Sequence, residues 1–276
     1  MDLAPEIERN VRAALAEDLG SGDLTAPLVP SGKRVRAAVV CRRKTVLCGQ
    51  PWFEASVRQV DQSVEIAWAA PEGAEVDAGT RVCTVEGPAR ALLAAERVAL
   101  NFLQTLSGVA TVTRRYVEAI AGTRARIVDT RKTLPGLRLA QKYAVRVGGG
   151  ANHRLGLYDA MLIKENHIAA AGGIRQALAQ ARSLARHGDW IQVEVETLEQ
   201  LREALDAGAA MILLDNMSVE RMREAVKIAG GRAELEASGG ITLENARQIA
   251  ETGVHRMSIG ALTKDLKAAD FSMRFE

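Results

Sequence analysis

Two arginines, two lysines and a histidine fall close together in the middle of this chain, as Arg131-Lys132, His153-Arg154 and Lys164. A site that gathers them suits a ligand with several negative charges. Arginine offers a planar fork that grips a carboxylate through two hydrogen bonds, and lysine a point charge suited to phosphate. The alternative is a set of unrelated surface cations. Two carboxylates, Glu194 and Asp215, end consecutive apolar runs. They suit Mg²⁺, which takes oxygen ligands from a few carboxylates, waters and substrate phosphates. Either acid is equally suited to capping the helix that follows it. Glu196 competes with Glu194, because strand alternation places both on one face.

Glycines add an anion-friendly component. Ser238-Gly239-Gly240 and Gly260-Ala261 close the last two apolar runs. Such turns let backbone N–H groups approach an anion, and a following helix N-terminus adds a favourable dipole. The plainer reading is a pair of tight turns. Arg138, Lys142 and Arg146 sit at i, i+4 and i+8 and are expected on a solvated helix face. His187 and His255 receive the same structural reading. No Ser/His/Asp triad, H-E-x-x-H zinc motif or G-x-G-x-x-G dinucleotide motif stands out.

These groups need elements to position them. Residues 5–19 read as a helix, broken by turn formers at 20–27. From 33 to 87 the pattern is β-like, with runs at 35–40, 45–47, 64–68 and 81–85. Pro88 opens a long helical stretch, which Ser107-Gly108 is expected to interrupt before a second helix to about 121. Short apolar runs then recur at 127–130, 160–164, 191–196, 211–215, 234–238 and 256–260, with helical segments between them. That alternation implies βα units and a parallel sheet. Six units are fewer than the eight of a full barrel, and an open doubly wound sheet is the alternative. In either fold, chemistry collects at the carboxyl ends of the strands, where the residues above lie.

Composition narrows the function classes. The balance of 36 Lys+Arg against 34 Asp+Glu, a formal net charge of +2, gives no global attraction to nucleic acid or membrane. Cys41, Cys48 and Cys83 are odd in number and form no C-x-x-C pair, so reduced thiols in a cytosol-like compartment are expected. A hydrophobic fraction of 47% with 25% charged residues is that of a soluble globular chain. No apolar run approaches the ~20 residues of a membrane helix, and the N-terminus lacks a signal-peptide core.

Three long strings go further. Asp-Thr-Arg-Lys-Thr-Leu-Pro-Gly at 129–136, Gly-Gly-Gly-Ala-Asn-His-Arg-Leu-Gly-Leu at 148–157 and Ile-Lys-Glu-Asn-His at 163–167 closely resemble the quinolinate phosphoribosyltransferases. Leu-Leu-Asp-Asn at 213–216, Ser-Gly-Gly at 238–240 and Gly-Ala-Leu-Thr at 260–263 match in order. So do Glu96-Arg97 ahead of Leu106-Ser-Gly108 and the run at 17–25. The resemblance spans essentially the whole chain. It implies an α/β fold, an incomplete α/β barrel (108–268) preceded by a smaller N-terminal α/β sandwich domain (1–107). It also implies that the C-terminal tail, 269–276, returns to the first part.

The resemblance further implies the reaction of quinolinate with phosphoribosyl pyrophosphate, giving nicotinate mononucleotide, pyrophosphate and CO₂ with Mg²⁺, in a cytoplasmic homodimer. Arg131, His153, Arg154 and Lys164 would hold the two carboxylates of quinolinate, and Arg97 would reach the site from the dimer partner. Lys132, Glu194 and Asp215 would serve phosphoribosyl pyrophosphate and its metal, which decides for Glu194 over Glu196. Thr130 would join the substrate contacts, and Ser238, Gly239, Gly240, Gly260, Ala261 and Leu262 would form the phosphate cradle. Rival readings are a relative that accepts nicotinate and a non-catalytic metabolite sensor. The double-arginine pocket favours a dicarboxylate, and the intact acids and lysines argue against a sensor.

Overall fold

The computed structural model describes residues 2–186 and 188–276, so His187 lies outside the described residues. In chain order the first elements are α1 (Ala4–Leu19), β1 (Arg34–Cys41), β2 (Thr45–Val46), α2 (Gln50–Val60), β3 (Glu65–Trp68), β4 (Glu75–Val76), β5 (Arg81–Pro88) and α3 (Ala89–Ala119). There follow β6 (Arg126–Val128), α4 (Arg138–Val147), β7 (Ala160–Ile163), α5 (Glu165–Ala171), α6 (Ile174–Leu184), β8 (Trp190–Val195), α7 (Leu198–Asp206) and β9 (Met211–Asp215). The chain ends with α8 (Val219–Ala229), β10 (Glu234–Ser238), α9 (Leu243–Ala250), β11 (Arg256–Ser258), α10 (Ala261–Lys264) and β12 (Phe271–Phe275). No helix is long and apolar enough to cross a membrane among the described residues.

Two compact units result: Met1–Arg114 with Thr133–Gly149 and Leu262–Glu276, and Arg115–Lys132 with Gly150–Ala261. The expected divide at 107/108 falls inside α3. The first unit holds an antiparallel sheet ordered β12-β1-β5-β3. Its last strand pairs Ala37 with Phe275 and Cys41 with Phe271, so the C-terminal tail is an edge strand of this sheet. The core joins Val39, Val82 and Val85 of the sheet to Phe53 and Val57 of α2 and to Leu92, Ala95, Ala99 and Leu103 of α3. Cys41, Cys48 and Cys83 are all free and buried.

Three expectations need correction in this unit. The stretch 33–87 is not wholly β, because α2 lies within it. Pro51 starts that helix, and Trp52, Phe53, Ser56 and Val57 bury one of its faces. Second, Ser107-Gly108 does not interrupt α3, which runs unbroken for 31 residues. A Cβ at Gly108 would lie 2.4 Å from the Lys267 carbonyl oxygen, so this glycine serves a close chain crossing. Ser107 Oγ accepts from the Cys48 N–H at 2.9 Å and donates to the Cys48 carbonyl at 3.0 Å.

Third, the face of Arg138, Lys142 and Arg146 is not solvated as a whole: Lys142 is only 1% exposed. Its helix α4 buries Ala140, Gln141, Lys142, Ala144 and Val145. At 100° per residue these cover more than half of the circumference, and Lys142 falls inside that arc while Arg146 falls outside.

The second unit carries a six-stranded parallel sheet ordered β6-β11-β10-β9-β8-β7 with helices between successive strands. Val193 and Val195 of β8, Ile212 and Leu214 of β9, and Leu235 and Ala237 of β10 are buried on one face. The alternate residues Gln192, Glu194, Leu213, Asp215, Glu236 and Ser238 therefore share the other face. His255 is half-buried rather than solvated: its Nδ1 accepts from the Leu235 N–H at 3.0 Å, which ties the entry to β11 to β10.

Candidate active site

The carboxyl edge of the parallel sheet belongs entirely to the second unit. At its β6 end, Asp129 is fully buried and its carboxylate holds two groups of the next segment. Its Oδ1 accepts the His153 N–H at 2.9 Å and its Oδ2 the Asn152 side-chain amide at 2.6 Å. Ala151 bridges to Val128 in parallel fashion. One strand-end acid thus fixes the backbone that carries His153 and Arg154.

Arg154 is 8% exposed, and one of its guanidinium nitrogens donates to the Ala160 carbonyl at 3.4 Å. Burial and the neighbouring Arg131 guanidinium together lower its affinity for a proton. Two guanidinium groups held within electrostatic reach of each other favour an anion with more than one charge. The Asp159 carboxylate accepts the Leu155 and Gly156 N–H groups at 2.7 and 2.9 Å, closing the loop that follows Arg154. Beside it, the Thr130 hydroxyl accepts the Lys132 N–H at 3.0 Å, forming a turn from which the exposed Lys132 projects.

Lys164 follows β7 and pairs with Glu194 at the end of β8, Nζ to Oε2 at 3.0 Å. His167 caps α5: its Nδ1 accepts the Lys164 N–H at 3.0 Å, so it orients the lysine's main chain. Glu196 lies beyond β8 and is exposed. Neither candidate metal acid is a helix cap. Thr197 Oγ1 accepts from the Gln200 N–H for α7, and Ser218 Oγ from the Arg221 N–H for α8.

Asp215 ends β9 and accepts the Asn216 side-chain amide at 2.9 Å. Asn216 holds a positive φ of 53°, and its N–H donates to the Ser238 carbonyl at 2.9 Å. The loop after β10 passes through Gly239 and Gly240 at φ 92° and 61° to Thr242, the N-cap of α9. Asn245 stiffens this turn, with Oδ1 accepting the Thr242 N–H at 2.8 Å and Nδ2 donating to the Gly240 carbonyl at 2.9 Å. Glycine turns leading into a helix N-terminus present main-chain N–H groups and a positive dipole end to anions. Gly260 and Ala261 follow β11. Two expected site residues fall in the other unit: exposed Arg97 on α3 and buried Leu262 on α10.

The family model "Quinolinate phosphoribosyl transferase, C-terminal domain" matches residues 109–274, and its N-terminal counterpart matches 23–107. The chain belongs to the quinolinate phosphoribosyltransferase family. It is similar to the "Probable nicotinate-nucleotide pyrophosphorylase [carboxylating]" of Bacillus subtilis, 44% identical over 257 residues, covering 93% of this chain and 89% of that protein. The "Nicotinate-nucleotide pyrophosphorylase [carboxylating]" of Mycobacterium leprae is 44% identical over 273 residues, 95% of each chain. The nicotinate-nucleotide pyrophosphorylase of Francisella tularensis has the same fold, with a TM-score of 0.96 at 44% identity, covering 99% of this chain and 96% of that one. The incomplete α/β barrel and smaller N-terminal α/β sandwich are therefore those of the quinolinate phosphoribosyltransferases.

Several residues that shape this family site do not stand out in the sequence alone. Asn152, Asp159, Asn216 and Asn245 set loop conformations at the strand ends. Asp129 is visible in the sequence as a strand-end acid, but its buried role as a loop anchor is not. Gln192 and Glu236 are fully buried below the edge. Their one sequence signal is a polar residue in a run that otherwise reads as a buried strand.

Proposed function

We propose that this chain transfers the phosphoribosyl group of phosphoribosyl pyrophosphate to quinolinate, with decarboxylation, giving nicotinate mononucleotide, pyrophosphate and CO₂. The product places the reaction in NAD biosynthesis. The observation that carries the reading is the Arg131–Arg154 pair. Arg154 is almost fully buried, and its burial first and the nearby Arg131 charge second lower its affinity for a proton, so a multiply charged acid suits this pair. Quinolinate, with adjacent carboxylates, meets that need better than nicotinate does. Lys164, at the end of β7 on the same carboxyl edge, would complete the carboxylate set, and the names of the relatives support the same substrate.

In the proposed reaction the pyridine nitrogen attacks the anomeric carbon while the bond to pyrophosphate breaks, through an oxocarbenium-like state. Stabilising the leaving group's charge then matters more than a protein nucleophile. Lys132 and the N–H groups of the Gly239-Gly240 turn supply positive charge and donors to the diphosphate. Glu194 and Asp215 fit Mg²⁺: they are oxygen donors on adjacent strands. Among the described residues no group of three or more His, Cys, Asp and Glu gathers as a closed cage, so substrate and water oxygens would fill the remaining positions. The ion would neutralise the diphosphate as it leaves. Ribosyl transfer precedes CO₂ loss in this reading, because a positively charged pyridinium stabilises the carbanion formed at the adjacent carbon, which then takes a proton from water to give the product C–H. The cationic pocket of Arg131, Arg154 and Lys164 favours the same charge.

The deciding experiment measures nicotinate mononucleotide formed from quinolinate and phosphoribosyl pyrophosphate, with and without Mg²⁺ and with nicotinate as the alternative acceptor. Product from nicotinate but not from quinolinate would overturn the substrate assignment. CO₂ released from quinolinate without phosphoribosyl pyrophosphate would overturn the order of steps. The reading also carries a homodimer in which Arg97 serves the neighbouring site. Mixed Arg97→Ala and Lys164→Ala proteins should then recover activity as heterodimers, and no recovery in verified heterodimers would refute the shared site. A cytoplasmic setting is part of the proposal, and the three free, buried thiols accord with it.

A further inference from the structure

Beneath the strand ends, on the sheet face that carries Glu194 and Ser238, lies a polar layer that the proposed reaction does not use. Gln192 of β8 and Glu236 of β10 are both 0% exposed, and the Gln192 amide reaches past β9 to donate to Glu236 Oε2 at 3.2 Å. Arg256 at the start of β11 places its Nε 3.3 Å from that same oxygen and 3.9 Å from Glu234 Oε1. Its guanidinium also stands 5.9 Å from the centroid of the Trp190 ring. Burial raises the Glu236 pKa, and the Arg256 charge works against that rise.

The other end of this layer is His153, 7% exposed and edge-on to Trp190 at 4.9 Å. Its two ring nitrogens have assigned roles. Nδ1 accepts the Arg154 backbone N–H at 2.8 Å, so that nitrogen carries no proton. The proton of the neutral ring is therefore on Nε2, which faces Gln192 Oε1 at 3.1 Å and Glu236 Oε1 at 3.6 Å. Glu236 Oε1 is buried and has no hydrogen-bond partner among the described residues, so an acceptor stands ready beside that Nε2–H. Each donor along the line then meets an acceptor: His153 to Gln192, Gln192 to Glu236, Arg256 to Glu236. With the ring anchored from below and the His153 N–H held by Asp129, the main chain entering Arg154 is fixed from two sides.

We infer that Gln192, Glu236 and Arg256 are positioning residues that hold His153 as a neutral Nε2–H imidazole and, through it, aim Arg154 at the carboxylate of the acid substrate. The inference rests on the reading of Arg154 as a quinolinate-binding group. It assigns His153 to the protein interior, as the top of an anchor. Loss of the Gln192 acceptor frees the ring to turn, and the Arg154 N–H then loses its fixed partner. The effect belongs to the acid substrate, because the phosphate loops after β10 and β11 are tied by other bonds.

The experiment combines ¹⁵N NMR of the imidazole side chains in the ligand-free chain with steady-state kinetics. His153 signals are assigned by their loss in His153→Asn among the four histidines. The wild-type ring should show one neutral Nε2–H tautomer between about pH 6 and 8, the range in which an ordinary histidine titrates. Gln192→Leu should mix the tautomers and raise KM for quinolinate about tenfold, the effect of losing one buried hydrogen bond. KM for phosphoribosyl pyrophosphate should stay within about twofold.

Should Gln192→Leu fail to fold, Glu236→Gln keeps the shape and carries the test. Its amide oxygen satisfies Arg256 and Gln192, and its NH₂ is then left facing the His153 Nε2–H, donor against donor, so the same tautomer and KM changes are expected. A wild-type His153 that is charged or protonated on Nδ1 would overturn the inference. Equal rises in both KM values, or a fall in kcat alone, would do so too. A chain that makes no nicotinate mononucleotide would sink the proposed reaction instead, and the NMR arm would still decide the anchor.

Discussion

Gly239→Ala offers a sharp quantitative test of how the proposed phosphate loop is built. Gly239 holds φ +92°, a region that L side chains rarely adopt, and holding a residue in such a region costs about 1–3 kcal/mol. The new Cβ would lie 2.0 Å from Asn216 Oδ1 and 2.8 Å from its Cγ, distances no real Cβ sustains. The Asn216 backbone cannot retreat freely, because its N–H is bonded to the Ser238 carbonyl at 2.9 Å. The side chain must therefore swing away, which breaks its 2.9 Å bond to Asp215 Oδ2 at a further ~1 kcal/mol.

Together the variant should lose about 2–4 kcal/mol of stability, on the sum of these backbone and hydrogen-bond terms. Its KM for phosphoribosyl pyrophosphate should rise about tenfold or more, the equivalent of ~1.4 kcal/mol at the site. Gly122→Ala is the control. Gly122 also has a positive φ, +80°, but its Cβ would meet nothing within 4 Å, so it should show the backbone cost without the substrate effect. Denaturant melts and initial-rate kinetics on both variants, and on Gly239→Ala combined with Asn216→Ala, decide the matter. The double variant should be less impaired than the sum of the singles, because removing Asn216 removes the clash. If Gly239→Ala behaves like Gly122→Ala in both assays, the coupling of this loop to Asp215 is refuted.

Other consequences are more direct. Arg131→Lys should raise KM for quinolinate about tenfold or more with a smaller change for phosphoribosyl pyrophosphate, since charge remains while the two-pronged grip is lost; equal changes in both would refute its assignment. Asp215→Ala should weaken Mg²⁺ dependence and the apparent affinity for phosphoribosyl pyrophosphate, and normal values for both would count against its role. Gly148→Ala should cost about 1–3 kcal/mol in a melt, because the Cβ would stand 2.5 Å from the Ala110 carbonyl oxygen and 2.7 Å from Thr113 Cβ.

His255 gives a pH signature. Burial lowers its pKa, with Arg124 adding to the effect, so the folded state disfavours the charged ring. The unfolded chain then binds more protons, and stability falls as pH drops below the ordinary histidine value of about 6.5. His255→Asn does not titrate, so the wild-type advantage in melting should shrink between about pH 7 and 5. An advantage that grows on acidification would contradict this.

The strand-end placement of the candidate residues was legible in the sequence because each follows an apolar run and parallel α/β folds gather polar groups at that edge. Asp129, Arg131, Lys164, Glu194 and Asp215 each follow an apolar run, and the period-2 alternation of Val193 and Val195 marks the face opposite Glu194. What the sequence hides is depth. Lys142 carries the spacing of a surface row yet is buried, because charge patterning reports which residues are polar and not how wide an arc a helix immerses. Gly108 looks like a break and is a contact, since a missing Cβ serves both purposes and only the opposing Lys267 backbone distinguishes them. Gln192 and Glu236 come from strands more than forty positions apart, and their meeting depends on the sheet order β10-β9-β8, which no local pattern encodes.

The Lys164–Glu194 pair links the two halves of the proposed site. In the ligand-free chain the lysine is 49% exposed and the glutamate 12%, and they meet at 3.0 Å. An ion pair open to solvent on one side is worth about 0–1 kcal/mol, so opening it is inexpensive. Under the proposed reading, quinolinate draws the lysine and Mg²⁺ the glutamate. Whichever binds first bears the cost of parting them, and the second finds its group already released. Binding should therefore be mutually reinforcing, by a factor of about five at most, since the coupling cannot exceed the energy of the pair itself. Titration calorimetry of quinolinate with and without Mg²⁺, and of Mg²⁺ with and without quinolinate, must give the same factor in both directions. Lys164→Gln should abolish that reciprocity. A coupling much above fivefold, or one that survives the substitution, would locate the linkage elsewhere in the site and remove this pair from it.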